Sequence, residues 1–165
     1  MKRKIRKLRS IYYSLLSFLL NWNKSILKCH INGIVRFNGK EKFGENINFN
    51  GAKIYGQGIV HFGNNFHSGK GLTILTSFHN YEGTRIPYDN QIITKNVIIE
   101  DNVWIGMNVI ILGGITIGEG SIIQAGSVVS KSIPPLTIAG GNPANPFKKR
   151  DQNRYSDLKK GRLFL

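Results

Sequence analysis

From residue 97 onward the apolar positions recur at a fixed interval of six. Ile99, Ile105, Ile111, Ile117, Ile123 and Val129 form one register, and two positions earlier Val97, Val103, Val109, Ile115, Ser121, Ser127 and Ile133 form a second. Gly106, Gly113, Gly114, Gly118, Gly120 and Gly126 fill positions shortly after the aliphatic ones. A strand pair would alternate without a six-residue phase, and an amphipathic helix would drift out of phase within two repeats. Each hexapeptide therefore reads as one short strand plus a corner, three of them closing a triangular coil of about 18 residues, with coils stacked as in other β-solenoids. The first register points inward and is core; the second must be small or modest, and glycine or asparagine serves the corners.

Upstream the same period is weaker. It places Phe37, Phe43 and Phe49 in phase and, after a one-residue shift, Phe62 and Ile74, which predicts a wider or more irregular first part of the prism. Between His79 and Asn96 the repeat fails for about 17 residues that include Tyr81, Glu82, Gly83, Arg85, Pro87, Tyr88 and Asp89. A loop this long inside a compact array is usually functional or disordered, and its aromatic residues argue against disorder. Pro134 and Pro135 cannot continue a sheet ladder and are expected to end the repeat. The chain thus reads as all-β, one parallel β-helix domain over residues 31–147 with a protruding loop at 80–96, preceded by a helical segment at 1–30 and followed by a tail at 148–165.

In the first segment Lys2, Arg3, Lys4, Arg6, Lys7 and Arg9 precede an apolar stretch from Ile11 to Leu20. The order resembles a signal peptide, yet Ser14 and Ser17 interrupt the stretch, Asn21, Asn23 and Lys24 follow it, and no small-x-small cleavage site appears. About 20 apolar residues would be needed to span a bilayer. A surface helix is expected instead, with Ile5, Leu8, Tyr12, Leu15, Leu16, Leu19 and Leu20 on one side. That side could meet a membrane interface, a partner subunit or the protein's own core.

The net charge of +14 over 165 residues would ordinarily suggest nucleic acid, but it resides at the ends. Residues 1–30 carry eight Lys/Arg and no Asp/Glu, residues 148–165 carry seven against two, and residues 31–147 carry eight against seven. A nearly neutral body does not present the basic face of a nucleic-acid binder. The single cysteine, Cys29, excludes an intramolecular disulfide and a CxxC metal site, which makes the cytoplasm the expected compartment.

The stretch from Val97 to Pro146 resembles the hexapeptide-repeat O-acetyltransferases, the group that includes galactoside and maltose acetyltransferases and many polysaccharide-modifying enzymes. The resemblance rests on Val103-Trp104-Ile105-Gly106, on Ala125-Gly126-Ser127-Val128-Val129-Ser130-Lys131, on Ile133-Pro134-Pro135, and on Gly141-Asn142-Pro143-Ala144. Phe66-His67-Ser68-Gly69, His79-Asn80-Tyr81 and Ile86-Pro87-Tyr88-Asp89 look like the branch acting on bacterial surface carbohydrates. The resemblance spans about residues 35–155. It implies a left-handed prism, an exception to the right-handed crossover rule. It further implies a homotrimer with active sites between neighbouring prisms, acetyl-CoA as co-substrate and a carbohydrate acceptor.

Acyl transfer from a thioester to a hydroxyl needs a base for the hydroxyl proton, donors for the developing oxyanion and a clamp for both reactants. His79 lies where the repeat breaks, coincides with the family's catalytic histidine, and is the expected general base. His67, Ser68 and Tyr81 are expected at the acceptor side, with Asp89 or Glu82 available to orient the imidazole. Trp104, outward in its hexapeptide, is expected to wall the cleft or to make a trimer contact. The resemblance implies that pantetheine runs past Gly106, Met107 and Ala125, with Ser130 and Lys131 nearer the nucleotide; after Asn142 and Pro143, the run Lys148, Lys149 and Arg150 could pair with the phosphates or form a solvated face. Met107 departs from the small residue usual at its position. His61 and His79, 18 positions apart, could stack on successive coils, whereas His30 and His61 read as surface residues. No metal is expected: a γ-carbonic-anhydrase-like zinc site would need three converging histidines, and the spacing of His61, His67 and His79 does not match that family. A non-enzymatic scaffold is the other competing reading.

Overall fold

The computed structural model describes residues 2–21 and 24–165. Its body is a parallel β-solenoid whose strands stack into three faces. The first face holds six parallel rungs, His30–Ile31, Asn48–Phe49, His67–Ser68, Trp104–Ile105, Ile122–Ile123 and Thr137–Gly141. The second runs through Val35–Arg36, Ala52–Tyr55, Leu72–Leu75, Ile110–Leu112 and Val128–Val129. The third holds Glu41–Phe43, Val60–Phe62, Val97–Ile99 and Thr116–Ile117, with Ile133 bridging to Ile117.

The registers explain the sequence period. Ile99 lies beside Ile117, Ile105 beside Ile123 and Ile111 beside Val129, so like residues recur on like positions one coil later. All of these, and every residue of the second register from Val97 to Ile133, are buried. Burial of one such side chain contributes roughly 1.5–3 kcal/mol.

The early coils are less regular, as the aromatic residues foretell: Val35 pairs with Ala52 at 17 positions, Phe43 with Phe62 at 19 and Ile54 with Ile74 at 20, where the later coils use 18 and the last one 16. Phe43, Phe49, Phe62 and Phe66 fill their interior with edge and stacked contacts whose centroids lie 4.9–6.2 Å apart. A helix, α1 (Lys2–Asn21), lies across this end, packing on the first two rungs and placing Tyr13 and Phe18 against the core.

At the corner between third and first faces the turn is made by Asn46, Asn65 and Asn102, each at φ of 53–60°. Their amides form a ladder: Asn46 Nδ2 donates to Asn65 Oδ1 (3.0 Å) and Asn65 Nδ2 to Asn102 Oδ1 (2.9 Å). Asparagine tolerates this left-handed conformation and here gains a partner above and below.

Two expectations need correction. The repeat does not end at Pro134-Pro135: the chain returns to the first face as Thr137–Gly141, seating Ala139 beside Ile123. The prolines occupy the corner, where no ladder N–H is needed, and their carbonyls accept from Ser121 Oγ and Thr137 Oγ1. Nor is the segment after 147 a plain tail. Ala144–Lys149 folds back antiparallel on Thr137–Gly141, closing the sheet edge, and α2 (Gln152–Lys160) follows. Asp151 caps α2 by accepting from the Arg154 N–H at 2.8 Å.

A polar cluster holds α2 to the asparagine corner. Glu119 Oε1 accepts from Lys159 Nζ (2.5 Å), Tyr155 Oη (2.9 Å) and Asn102 Nδ2 (3.2 Å). Burial alone would raise the Glu119 carboxyl, but these donors and the Lys159 charge hold it below its ordinary value. Burial and the bond to Glu119 push the Tyr155 hydroxyl up to about 12.

Replacing Ile111 with Asp is expected to abolish folding, because a carboxylate between Ile74 and Val129 has neither water nor partner. Ile110→Asp, whose side chain points outward, should retain the β-type circular dichroism spectrum. Native-like spectra for both would refute the assigned phase. A second expectation concerns acid. Glu119, depressed in the fold, contributes to α2 docking above the ordinary carboxylate range and loses that contribution as the pH falls through its lower folded value. Amide exchange should therefore show α2 losing protection at acid pH before the coils do.

Candidate active site

The repeat is interrupted once, between the second and third faces. Phe62 pairs with Ile99, 37 positions on rather than 18, so the chain leaves the prism and rejoins it in phase. The excursion is a hairpin, Ser77–His79 antiparallel to Ile92–Thr94, rooted where Thr76 O accepts from Lys95 N (2.8 Å). Its tip is folded around Asp89, whose buried carboxylate accepts from the Gln91 N–H (2.8 Å) and from Asn80 Nδ2 (3.2 Å). That carboxylate fills the space a side chain at Gly83 would need. Lys95 Nζ lies 5.4 Å from the centre of the Phe78 ring.

His79 is exposed on this hairpin, its ring stacked on Tyr88 at 3.9 Å and 17°. Among the described residues the imidazole has no hydrogen-bond partner. Asp89 is therefore a tie within the loop and does not orient the imidazole, and Glu82 stands exposed with its N–H donating to Asn80 Oδ1 (3.3 Å). Tyr88 is the residue that fixes the imidazole plane. Its place in Ile86-Pro87-Tyr88-Asp89 marks it as part of the loop, but the stacking has no sequence signal. Tyr81 is exposed beside the tip. His61 lies on the third face beside Ile98 and does not stack with His79.

The outer side of the first face carries a row of His30, Asn48, His67, Trp104 and Ile122. Asn48 Nδ2 lies 3.2 Å from His67 Nε2. An amide nitrogen donates and cannot accept, so the ring nitrogen accepts. Burial, with the neighbouring His30 charge, holds the His67 imidazole below its ordinary value, in agreement with a neutral ring. Trp104 is 56% exposed, as its outward position requires.

Trp104 separates two clefts. One, about 340 Å³, runs along the corner between first and second faces and is lined by Trp104, Gly106, Met107, Ala125, Gln124 and Phe147, with Ile122, Ile123 and Ile138 at its floor. Its wall is backbone by necessity: a Cβ on Gly106 would lie 2.5 Å from the Ala125 nitrogen, and one on Gly69 would lie 2.6 Å from that of Met107. Among the described residues the N–H groups of Met107 and Ala125 have no acceptor. Gln124, Ile138 and Phe147 are lining residues that sequence reading missed, although Ile122 and Ile138 follow Trp104 on the same outward row. The other cleft, about 400 Å³, lies between Trp104, His67 and Asn102 on one side and Tyr155, Leu158, Leu163 and Phe164 on the other.

The remaining expected positions are distributed more widely than the resemblance implies. Ser68 faces the interior, 2% exposed, with its hydroxyl unpaired among the described residues, so it belongs to the core and not to the acceptor site. Ser130 and Lys131 are exposed at the corner between second and third faces, the one bearing the hairpin. Asn142 and Pro143, joined by a cis bond, form the tip of the last hairpin beside Ser127, whose hydroxyl accepts from the Gly141 N–H at 3.2 Å. Lys148 is free on the surface. Arg150 is not, since it donates to Gly120 O (2.8 Å) and lies 4.9 Å from the Tyr155 ring centre, on the far side of the first face from the glycine-lined corner. Among the described residues no three His, Cys, Asp or Glu side chains converge as metal ligands would.

Residues 96–131 match the family model of the bacterial transferase hexapeptide (six repeats). No curated protein sequence matches the chain significantly. Among solved structures, a maltose O-acetyltransferase from Clostridium difficile is 28% identical, with a TM-score of 0.70 over 90% of this chain and 89% of that one. A hexapeptide-repeat acetyltransferase from Vibrio cholerae is 26% identical, with a TM-score of 0.68 over 87% and 82%. A galactoside acetyltransferase in complex with coenzyme A shares the fold at 22% identity, with a TM-score of 0.67 over 91% and 84%. The chain is a hexapeptide-repeat β-helix protein. The solved structures it resembles at 26–28% identity are acetyltransferases.

The placement of Ser68 is open to a direct check. Ser68→Ala removes an unpaired hydroxyl from an apolar stack and is expected to stabilise the fold by about 1 kcal/mol, read as a rise in Tm. A drop in Tm would mean that the hydroxyl is satisfied and the inward assignment incomplete.

Proposed function

We propose that the protein transfers an acetyl group from acetyl-CoA to a hydroxyl of a carbohydrate, with His79 as general base. The observation that carries this reading is the single break in the repeat. It displays an imidazole on a rigid hairpin, braced by Tyr88 and free of competing hydrogen bonds among the described residues.

Acetyl-CoA, when bound, supplies the acyl group as a thioester. The glycine-lined cleft suits a narrow, flexible arm: it is mostly apolar, its wall is backbone, and the Met107 and Ala125 N–H groups stand ready as donors. His79 accepts the hydroxyl proton as the sugar oxygen bonds to the acyl carbon. The carbon–sulfur bond breaks, and the proton passes to the departing sulfur. A corner N–H such as that of Met107 stabilises the negative charge growing on the acyl oxygen. Met107, half exposed where a smaller residue is usual, narrows the acceptor side.

Within one chain the hairpin and this cleft lie on different corners of the prism, and none of the cleft's lining residues comes from the hairpin. We therefore read the working enzyme as a homotrimer in which the hairpin of one prism, with Ser130 and Lys131, faces the glycine-lined corner of its neighbour. The exposure of Ile86 at the hairpin tip (96%) and of Phe147 beside the cleft supports burial against another copy. Lys148, exposed and without an ion-pair partner among the described residues, is then available to a coenzyme A phosphate. We take the reaction to be cytoplasmic, the compartment expected from the lone cysteine.

Incubation with acetyl-CoA and a panel of glycans and aminosugars, followed by thiol release and product mass, tests this. An ester-linked acetyl product is expected, and His79→Ala should lower turnover by about two to four powers of ten while leaving the fold and the oligomer intact. Coenzyme A affinity without turnover on any acceptor would favour a scaffold, an amide-linked product would move the acceptor from hydroxyl to amine, and near-normal activity of His79→Ala would remove His79 from the mechanism.

A further inference from the structure

A helix that seals the end of a solenoid should be apolar toward the prism and polar toward water, because the terminal unit has no further neighbour to cover it. α1 meets the first half only in part, through Tyr13 and Phe18 against the core, beside a packed side otherwise rich in serine. Ser10, Tyr13, Ser14 and Ser17, spaced as one helical face, are buried or half-buried on the side that packs on the first rungs. The second half fails. Leu8, Ile11, Tyr12, Leu15 and Leu19, at spacings of three and four, are all exposed, with Leu8 and Leu19 at 66%. They form a continuous apolar stripe opposite the packed side. Leu27 and Ile34, exposed in segments next to the helix, extend apolar surface at the same end of the prism. Of the stripe expected from sequence, Leu8, Tyr12, Leu15 and Leu19 form an outer face that Ile11 joins, Leu16 is half-buried, and the side chains of Ile5 and Leu20 lie outside the described residues.

We infer that the outer face of α1 docks on an anionic lipid bilayer, holding the prism by its first coils. The charge selects this occupant. Residues 1–30 carry eight Lys/Arg and no Asp/Glu, six of the cations within the first nine positions, while the body is nearly neutral. A second copy of so cationic a helix would bring like charges together, whereas an anionic leaflet attracts each cation by about 1 kcal/mol. No described helix is long and apolar enough to cross a membrane, so the attachment is peripheral, with the stripe at the boundary of headgroups and acyl chains. This inference stands apart from the acyl-transfer reading and holds whatever the reaction.

The test is co-sedimentation of the full chain with vesicles of phosphatidylcholine and phosphatidylglycerol at about three to one, against phosphatidylcholine alone, at about 0.1 M salt. Binding to the anionic vesicles is expected, falling at least about tenfold on neutral ones. Leu15→Glu with Leu19→Glu should lower it at least about tenfold, with an unchanged Tm and an unchanged mass in light scattering. Lys4→Glu with Arg9→Glu, which leaves the stripe intact, should also weaken it, and more so at low salt. If the parent ignores anionic vesicles, or the glutamate pair binds as well as the parent, the inference is overturned. It is equally overturned if the glutamate pair changes the mass, which would make the stripe a contact between copies, or if the parent binds single-stranded RNA and not vesicles.

Discussion

Everything in this molecule depends on coils that stack in register around a dry interior. A side chain such as Ile105 is held from one side by Ser68 and from the other by Ile123, while the backbone N–H and C=O groups of each rung are satisfied by the rungs on either side. Each coil is therefore incomplete alone, and stability accumulates by neighbour contacts. The constraint is on phase and not on coil length, which is why 16, 17, 18, 19, 20 and even 37 positions between successive strands coexist in one prism.

Because the faces are committed to stacking, chemistry is left to the corners. The three corners have separate occupations. One is built from asparagine amides and buttressed by Glu119, Tyr155 and Lys159; it closes the structure. The next is a column of glycine and alanine too tight for side chains, so it presents backbone to a cleft. The third lets the chain out and displays His79. Within one prism the backbone donors of the second corner and the imidazole of the third lie apart.

The interior of residues 97–133 was readable because its inward positions, aliphatic apart from Ser121 and Ser127, keep a constant spacing that neither an alternating strand nor an amphipathic helix satisfies. Earlier coils were harder: their spacing varies, and Phe43, Phe49 and Phe62 fill them with aromatic packing that has no fixed interval. Pro134-Pro135 misled because proline is excluded from a ladder but welcome at a corner, and sequence does not say which of the two it occupies. The hairpin was located as a lapse in the pattern, and His79 followed from its place there, but Tyr88 as its support did not. Ser68 and Arg150 went astray for a shared reason. A motif records neighbours along the chain, and their alternation between inside and outside, or the reach of Arg150 to Gly120, is set by coils far away in sequence.

The hairpin leaves at Thr76 and returns at Lys95, two residues joined by a backbone hydrogen bond, and Ile99 resumes beside Phe62 as though nothing intervened. The prism thus treats the 19 extra residues as a cassette plugged into a standard socket. Beyond its root, where Ser77 Oγ accepts from the Gln57 N–H, its length and contents can drift or be exchanged without disturbing the inward stack. A lineage built on this plan can change what it grips while inheriting the same frame, and two such proteins with closely matching coils need share nothing at the tip.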